Sequence, residues 1–253
     1  MPVMEKYFSI NESGRSVRCK LYCAEPKSVR RVLVCCHGFT GHKDNSAAQK
    51  MADYLLRKYK DFGVITFDLP AHVDDARNKL SLVDCDIYIR LVCEYAASRF
   101  KTKELYGYAT SFGGYLMLKY INEHGSPFLK LALRCPAVNM HAVFTGLMPE
   151  DDLRMIMRNK PVMAGFDRKV RVTREFVEEL EREDISCRDF SGFSDSLIIL
   201  QGTKDEIVSF DFVRDFAEKN SIEFIPVEGA DHRFQDPRKM ELAIKRIVEF
   251  FDL

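Results

Sequence analysis

Apolar and polar positions alternate in the first part of this chain and then give way to continuous apolar runs. Residues 4–10 and 16–23 alternate on either side of Asn11-Glu12-Ser13-Gly14, a turn sequence, and so predict an opening β-hairpin. Residues 32–36 and 63–67 are apolar without alternation, as strands buried on both faces of a parallel sheet are. The pattern therefore predicts a partly exposed hairpin followed by a sheet whose two faces are both covered.

Stripes of apolar residues at helical spacing separate the later strands. The first runs from Asp44 to Tyr59, and the last begins at Asp236-Pro237, a favourable N-cap and N1 pair. Further strands are predicted at 104–109, 128–135, 196–201 and 222–227, and further helices around 87–96, at 113–120 and at 210–219. This order predicts an α/β fold with a mostly parallel central sheet and helices on both faces.

One segment, 139–194, interrupts the alternation of strands and helices. It carries five of the ten methionines and one short charged helix at 173–183, and we expect the charged run 171–184 to be a solvated helix face. We predict that residues 1–138 and 195–253 form the core and that 139–194 forms a small cap (lid) over the carboxyl edge of the sheet.

Composition and charge narrow the possible partners of the 253-residue chain. Lysine plus arginine and aspartate plus glutamate each number 38, so no overall field attracts nucleic acid. No apolar stretch approaches the ~20 residues of a membrane span, and the first ten residues lack the pattern of a signal peptide. The eight cysteines lie mostly in apolar patterns, without a CxxC pair. We expect a cytoplasmic protein with reduced thiols, no metal, and neither a nucleic-acid nor a membrane partner.

Candidate chemistry collects after the predicted strands, at the edge where reactive groups gather in parallel sheets. A serine hydroxyl needs an imidazole to take its proton and a carboxylate to orient that imidazole. Ser111, Asp205 and His232 follow three different strands and supply these three groups. Their order along the chain is that of the α/β-hydrolase arrangement.

Each of these residues also has a plainer interpretation. Ser111 could simply cap the helix that follows it, and Asp205 could be an ordinary turn aspartate. Asp231 is a rival acid, but because it adjoins His232 in sequence we interpret it as a residue that braces the loop. The other histidines are expected to be structural or surface residues, with His37 bonded within its own loop and His42, His124 and His141 away from the chemistry.

The sequences HGFTG, ATSFGG, QGTKDEIV and GADHRF together resemble the α/β-hydrolase superfamily over essentially the whole chain. HGFTGHK and GADHRF are similar to its feruloyl (cinnamoyl) esterase-like branch. The resemblance implies an oxyanion hole made by the backbone N–H groups of Phe39 and Phe112, with no cofactor. Two departures are Ala109 in place of the usual elbow glycine, and Ala71-His72-Val73 in a loop that usually contains glycines, which leaves the role of His72 open.

The expected function is that of a serine carboxylester hydrolase working through an acyl-enzyme on Ser111. A hydroxycinnamoyl or short-chain acyl ester, a small molecule, is the substrate that the resemblance implies. A thioesterase, an acyltransferase or a serine peptidase would use the same triad, and a non-catalytic binding protein could share the fold. The sequence leaves the oligomeric state open, a homodimer included.

The cap methionines have two interpretations. Most simply, Met148, Met155, Met157 and Met163 fill a small core of the cap, because unbranched thioethers fit irregular gaps. The sharper hypothesis is an adaptable apolar wall for the substrate, formed by Phe144, Leu147, Met148 and Met155.

Overall fold

The computed structural model describes residues 3–165 and 167–253, and its centre is an eight-stranded sheet. The strands of the protein are β1 (Met4–Glu12), β2 (Arg15–Cys23), β3 (Arg31–Cys36), β4 (Phe62–Phe67), β5 (Leu105–Thr110), β6 (Lys130–Arg134), β7 (Val162–Ala164), β8 (Val170–Val172), β9 (Leu197–Gly202) and β10 (Glu223–Val227). The sheet runs in the order β1-β2-β4-β3-β5-β6-β9-β10, while β7 and β8 form a separate ribbon. Only the β1–β2 and β2–β4 pairs of the sheet are antiparallel, so the predicted hairpin and parallel sheet are confirmed.

Helices cover both faces of this sheet. They are α1 (Ser46–Lys58), α2 (Leu82–Phe100), α3 (Phe112–His124), α4 (Met140–Leu147), α5 (Glu150–Met157), α6 (Arg174–Arg182), α7 (Phe210–Lys219) and α8 (Pro237–Phe250). In β3, Val32 and Val34 point into the core shared with α2, α3 and α7, whereas Leu33 and Cys35 point into the core shared with α1 and α8. Both sides of the strand are buried, which is why its sequence is apolar without alternation.

Side chains satisfy the first N–H groups of several helices. The Asp236 side chain accepts from the Arg238 N–H with Pro237 in the first turn of α8, as the sequence predicts. The first turn of α2 is capped from a distant element, because Oε2 of Glu179 in α6 accepts the Leu82 N–H at 2.9 Å. This contact ties the inserted segment to the core.

The insertion between β6 and β9 contains α4, α5, the β7–β8 ribbon and α6. The sequence analysis predicts only the last of these helices, because α4 and α5 have eight residues each and too few turns for a clear periodicity. As expected, α6 exposes much of its charged side, but it also buries Phe176, Val177 and Leu180. The hydroxyl of Tyr115 in α3 donates to the Glu183 carbonyl at 2.9 Å, a second attachment of this segment to the core.

The exposure of the cap methionines corrects one expectation. Met155, Met157 and Met163 are 42%, 60% and 43% exposed, so the interpretation of these three as a small cap core is wrong. Ile156 in α5 and Val162 in β7 take the buried positions beside them. The three methionines lie on the exposed sides of these two elements.

All eight cysteines are free, and seven are buried as predicted, while Cys187 is exposed. In the described ranges, no helix is both long enough and apolar enough to span a bilayer.

Candidate active site

Ser111 occupies a sharp turn between a buried strand and a helix. It follows the last residue of β5 and precedes the first of α3, with φ 52° and ψ −120°, a backbone conformation that costs energy for a residue with a Cβ. Its N–H donates to the Arg134 carbonyl at 3.1 Å, and its carbonyl accepts from the N–H groups of Tyr115 and Ala137. These backbone bonds hold the strained turn in place.

The Ser111 hydroxyl makes no capping bond to α3, and no hydrogen bond between described residues uses it. The interpretation of this serine as a simple helix cap is therefore wrong. Its backbone is fully engaged while its hydroxyl stays available.

Small residues allow the close packing of this turn. A Cβ on Gly113 would lie 2.5 Å from the carbonyl oxygen of His37 and 2.6 Å from that of Cys36, so α3 can approach the end of β3 only with glycine here. A Cβ on Gly38 would lie 3.2 Å from Cβ of Ser111. Ala109 keeps its strand pairings with its methyl group fully buried, so the fold accommodates its departure from the usual glycine.

His232 and Asp205 form a close pair on neighbouring loops. Nδ1 of His232 lies 2.8 Å from Oδ2 and 3.0 Å from Oδ1 of Asp205, whose side chain is fully buried. Burial opposes ionisation of Asp205, but hydrogen bonds from His232 and from the Val208 N–H outweigh it and lower the pKa of the carboxyl below its usual value. An ionised Asp205 keeps the proton on Nδ1 and leaves Nε2 as the base.

Other contacts fix the Asp205 carboxylate and exclude its rival. Oδ1 also accepts from the Ile207 N–H at 2.9 Å, and Oδ2 accepts from Nε2 of Gln201 at 2.8 Å. Asp231 instead accepts the N–H of Gln235 at 2.8 Å. It therefore braces its own loop, as predicted.

The backbone of His232 is held on both sides. Its carbonyl accepts from Nη1 of Arg134 at 3.0 Å, and its N–H donates to Oε2 of Glu206 at 3.2 Å. Neither of these residues, nor Gln201, is predicted from the sequence. The one available signal was an arginine at the end of the otherwise apolar stretch LALRC.

One predicted oxyanion donor, Phe112, directly follows Ser111, and the other, Phe39, lies in the loop after β3. Phe112 is the first residue of α3, where a backbone N–H has no partner within the helix. The hydrogen bonds between described residues leave the N–H groups of Phe39 and Phe112 unused. Their rings pack edge to face with centroids 5.8 Å apart, so the two backbones are held together by their own side chains.

Comparison with known proteins agrees with this fold. A family model described as the alpha/beta hydrolase fold matches residues 31–171. The chain belongs to the α/β-hydrolase family. A search of curated proteins finds no match.

Solved structures similar to this α/β hydrolase cover nearly its full length at low sequence identity. A putative hydrolase from Agrobacterium vitis S4 has a TM-score of 0.77 at 18% identity, with 99% of this chain and 100% of that chain covered. Est1E from Butyrivibrio proteoclasticus has a TM-score of 0.72 at 18% identity, covering 98% and 99%, and a second Est1E structure has ferulic acid bound. Mouse alpha/beta hydrolase domain-containing protein 10 has a TM-score of 0.74 at 14% identity, covering 98% of each chain. At these identities the likeness establishes the fold.

Two buried histidines support residues 37–41, the predicted oxyanion loop of this α/β hydrolase. Nε2 of His72 accepts the Thr40 N–H at 3.1 Å while its Nδ1 donates to the Pro70 carbonyl at 2.9 Å. His37 bonds to the Gly38 carbonyl within its own loop, as predicted, and accepts the Leu69 N–H. Burial lowers the pKa of His72 to about 4 and that of His37 well below its usual value, so both rings are neutral. His72 is fully buried, and its contacts give it a structural role.

The proposed apolar wall is divided between buried and exposed residues. Phe144 is buried, and its ring centroid lies 5.2 Å from that of Phe39. Met148 is partly buried against the core, whereas Leu147 and Met155 are 47% and 42% exposed. The structure thus brings Phe144 to the oxyanion loop, and the substrate contacts of all four residues stay a prediction.

Among the residues that the structure describes, two groups of side chains have ligand atoms close enough for a metal ion. In the group of Cys135, Asp205 and His232, the carboxylate already accepts four donors, and burial raises the pKa of the thiol. In the group of Asp86, Glu123 and His124, the ammonium of Lys119 lies 2.6 Å from both carboxylates and occupies the position between them. Neither arrangement favours a cation.

Proposed function

We propose that the protein is a serine hydrolase that cleaves carboxylic esters through an acyl-enzyme on Ser111. The observation that carries the proposal is the hydrogen-bonded pair of Asp205 and His232. Arg134 bonds both the backbone of His232 and the backbone of Ser111, so it connects this pair to the nucleophile turn. Ser111, on its strained turn, offers a hydroxyl without another partner.

In the proposed reaction, Nε2 of His232 takes the Ser111 proton as Oγ attacks the ester carbonyl. Asp205 keeps the ring oriented and stabilises its protonated form. The N–H groups of Phe39 and Phe112 bind the oxygen on which negative charge develops, and such a donor is worth roughly a hundredfold or more in rate. His232 then gives its proton to the departing alcohol, and a water molecule activated by the same imidazole releases the acid.

A modest apolar or aromatic acyl group suits the surroundings of this site. Phe39, Phe112, Phe144 and Phe176 form one aromatic cluster, which joins both oxyanion residues to α4 and α6. Fold likeness to Est1E, to which ferulic acid binds, supports a hydroxycinnamoyl ester as one candidate, and a short-chain acyl ester is the other.

A substrate panel tests the proposal. p-Nitrophenyl esters of increasing chain length, methyl ferulate and an acyl thioester would be assayed with the wild type, with His232→Ala and with His124→Ala, which changes an exposed histidine on α3. We expect ester turnover that His232→Ala lowers by at least about 10³-fold and that His124→Ala leaves unchanged. Turnover insensitive to His232→Ala contradicts the assignment, and faster thioester cleavage would favour a thioesterase.

A further inference from the structure

We propose that Arg134 is a positioning residue that fixes the His232 main chain relative to the nucleophile turn. This inference rests on the proposed function and adds to it a residue that touches no substrate. It concerns the distance between the base and the nucleophile, which come from loops 121 positions apart in sequence.

Arg134 contacts both catalytic backbones. Its carbonyl accepts the N–H of Ser111 at 3.1 Å, and Nη1 of its side chain donates to the carbonyl of His232 at 3.0 Å. As the last residue of β6, it belongs to a strand paired on both sides within the central sheet. A single rigid residue therefore connects the two loops.

Burial of an arginine side chain at this position costs desolvation free energy. Arg134 is 6% exposed, and although the charge of Asp205 acts on it, no carboxylate in the described parts of the chain lies within 4.0 Å of its guanidinium. The preceding residues of β6 are Leu131, Ala132 and Leu133, so an apolar side chain would suit the core. A buried charge retained without an ion-pair partner indicates a specific role, because replacing buried charges with apolar residues is often neutral or stabilising.

The surroundings of the guanidinium direct it at the histidine loop. Nε donates to the hydroxyl of Tyr108 in β5 at 3.1 Å, which sets the plane of the group. The ring of Phe234, two residues beyond His232, lies 5.0 Å from its central carbon. While these two contacts hold the guanidinium, its Nη1 points at the His232 carbonyl.

Glu206 holds the other side of His232 and provides a comparison. Its carboxylate accepts the His232 N–H at 3.2 Å from an exposed position. Exposed hydrogen bonds of this kind contribute little, since water replaces them. Arg134, which is buried, is therefore expected to be the stronger restraint.

The test uses Arg134→Met and Arg134→Lys, with Lys130→Met as the matched control, because Lys130 begins the same strand and donates to the Asp195 carbonyl instead of the His232 loop. Hydrogen exchange of the backbone amides at 229–235 reports the loop directly, independently of any activity. We expect exchange there to quicken roughly tenfold or more in Arg134→Met, partly in Arg134→Lys and little in Lys130→Met. In parallel, kcat should fall roughly 10- to 100-fold in Arg134→Met with KM nearly unchanged, because a small misplacement of a catalytic group lowers the rate without removing substrate contacts.

Unchanged exchange of residues 229–235 in both Arg134 variants would overturn the proposal, whatever the activity. So would a variant with a lower melting temperature and a wild-type kcat per folded molecule, which would make the role of Arg134 purely structural. If Arg134→Met does not fold, Arg134→Lys decides by the same two readouts. A wild type without hydrolase activity would refute the proposed function, while the exchange data would still show whether Arg134 restrains the loop.

Discussion

Nε2 of His72 accepts the backbone N–H of Thr40 at 3.1 Å, directly after Phe39, the residue whose N–H is the predicted oxyanion donor. Thr40 itself has φ 61°, so this bond holds a strained turn. The acceptor exists only while His72 is neutral at Nε2, and protonation would place two N–H groups face to face. The predicted oxyanion loop therefore depends on a buried neutral histidine.

The stability of the protein should consequently fall in mild acid. His72 has a pKa of about 4 in the folded state against an ordinary 6.5, so the unfolded chain takes up the proton first as the pH drops. The free energy of unfolding should decrease between about pH 6.5 and 4, with His72 accounting for about 3 kcal/mol of that loss. Denaturant titrations at pH 7 and pH 4.5 should show a shallower decrease for His72→Gln than for the wild type. Equal pH dependence of the two proteins would refute this role, and His124→Gln serves as the control.

Asp205 and Asp231 can be distinguished by matched amide substitutions. Asp205→Asn removes the charge that orients and stabilises the His232 ring, so kcat should fall by about 10³- to 10⁴-fold. Asp231→Asn changes a carboxylate that accepts the Gln235 N–H within its own loop, and kcat should stay within about threefold. Steady-state kinetics on one p-nitrophenyl ester measures both. A larger loss in Asp231→Asn would reverse the assignment of the acid.

The packing of the serine turn predicts opposite effects for two glycine substitutions. Gly113→Ala would bring a methyl group within 2.6 Å of two backbone carbonyl oxygens, those of His37 and Cys36, and should destabilise the protein by about 3 kcal/mol. Gly146→Ala, in α4, adds a methyl group with no atom within 4 Å and should stabilise it by about 0.5–1 kcal/mol. Urea unfolding measures both, and equal stabilities of the two variants would contradict the close approach of α3 to β3.

The aromatic contact between α4 and the predicted oxyanion loop suggests a further difference between variants. Phe144→Ala removes a buried ring packed on Phe39 and Phe176, so we expect a loss of about 3 kcal/mol together with lower kcat. Leu147→Ala, at a half-exposed position of the same helix, should change stability by less than about 1 kcal/mol. Thermal unfolding and ester assays on the two variants test this, and a Phe144→Ala protein with wild-type stability would show that the contact is unimportant.

The sequence predicts those parts of the fold and site whose signals are local. The apolar run of β3 and the Asp236-Pro237 start of α8 follow from a few neighbouring residues, and both are confirmed. Ser111 is recognisable from the small residues around it. The order of Ser111, Asp205 and His232 along the chain can be seen without any knowledge of which residues are in contact.

Features that depend on distant contacts were not predictable in this way. Arg134 is 98 residues from His232, and nothing in its neighbourhood indicates where its guanidinium points. The cap of α2 comes from Glu179, on an element almost 100 residues later. The exposed cap methionines were misplaced because eight-residue helices contain too few turns to show which face is buried.

The account rests most directly on the reactivity of the Ser111 hydroxyl. Intact-mass measurement after treatment with a fluorophosphonate, followed by peptide mapping, tests that reactivity. The account predicts one adduct per chain on Ser111 in the wild type, much slower labelling of His232→Ala and none of Ser111→Ala. An unlabelled wild type, or an adduct that persists in Ser111→Ala, would contradict it.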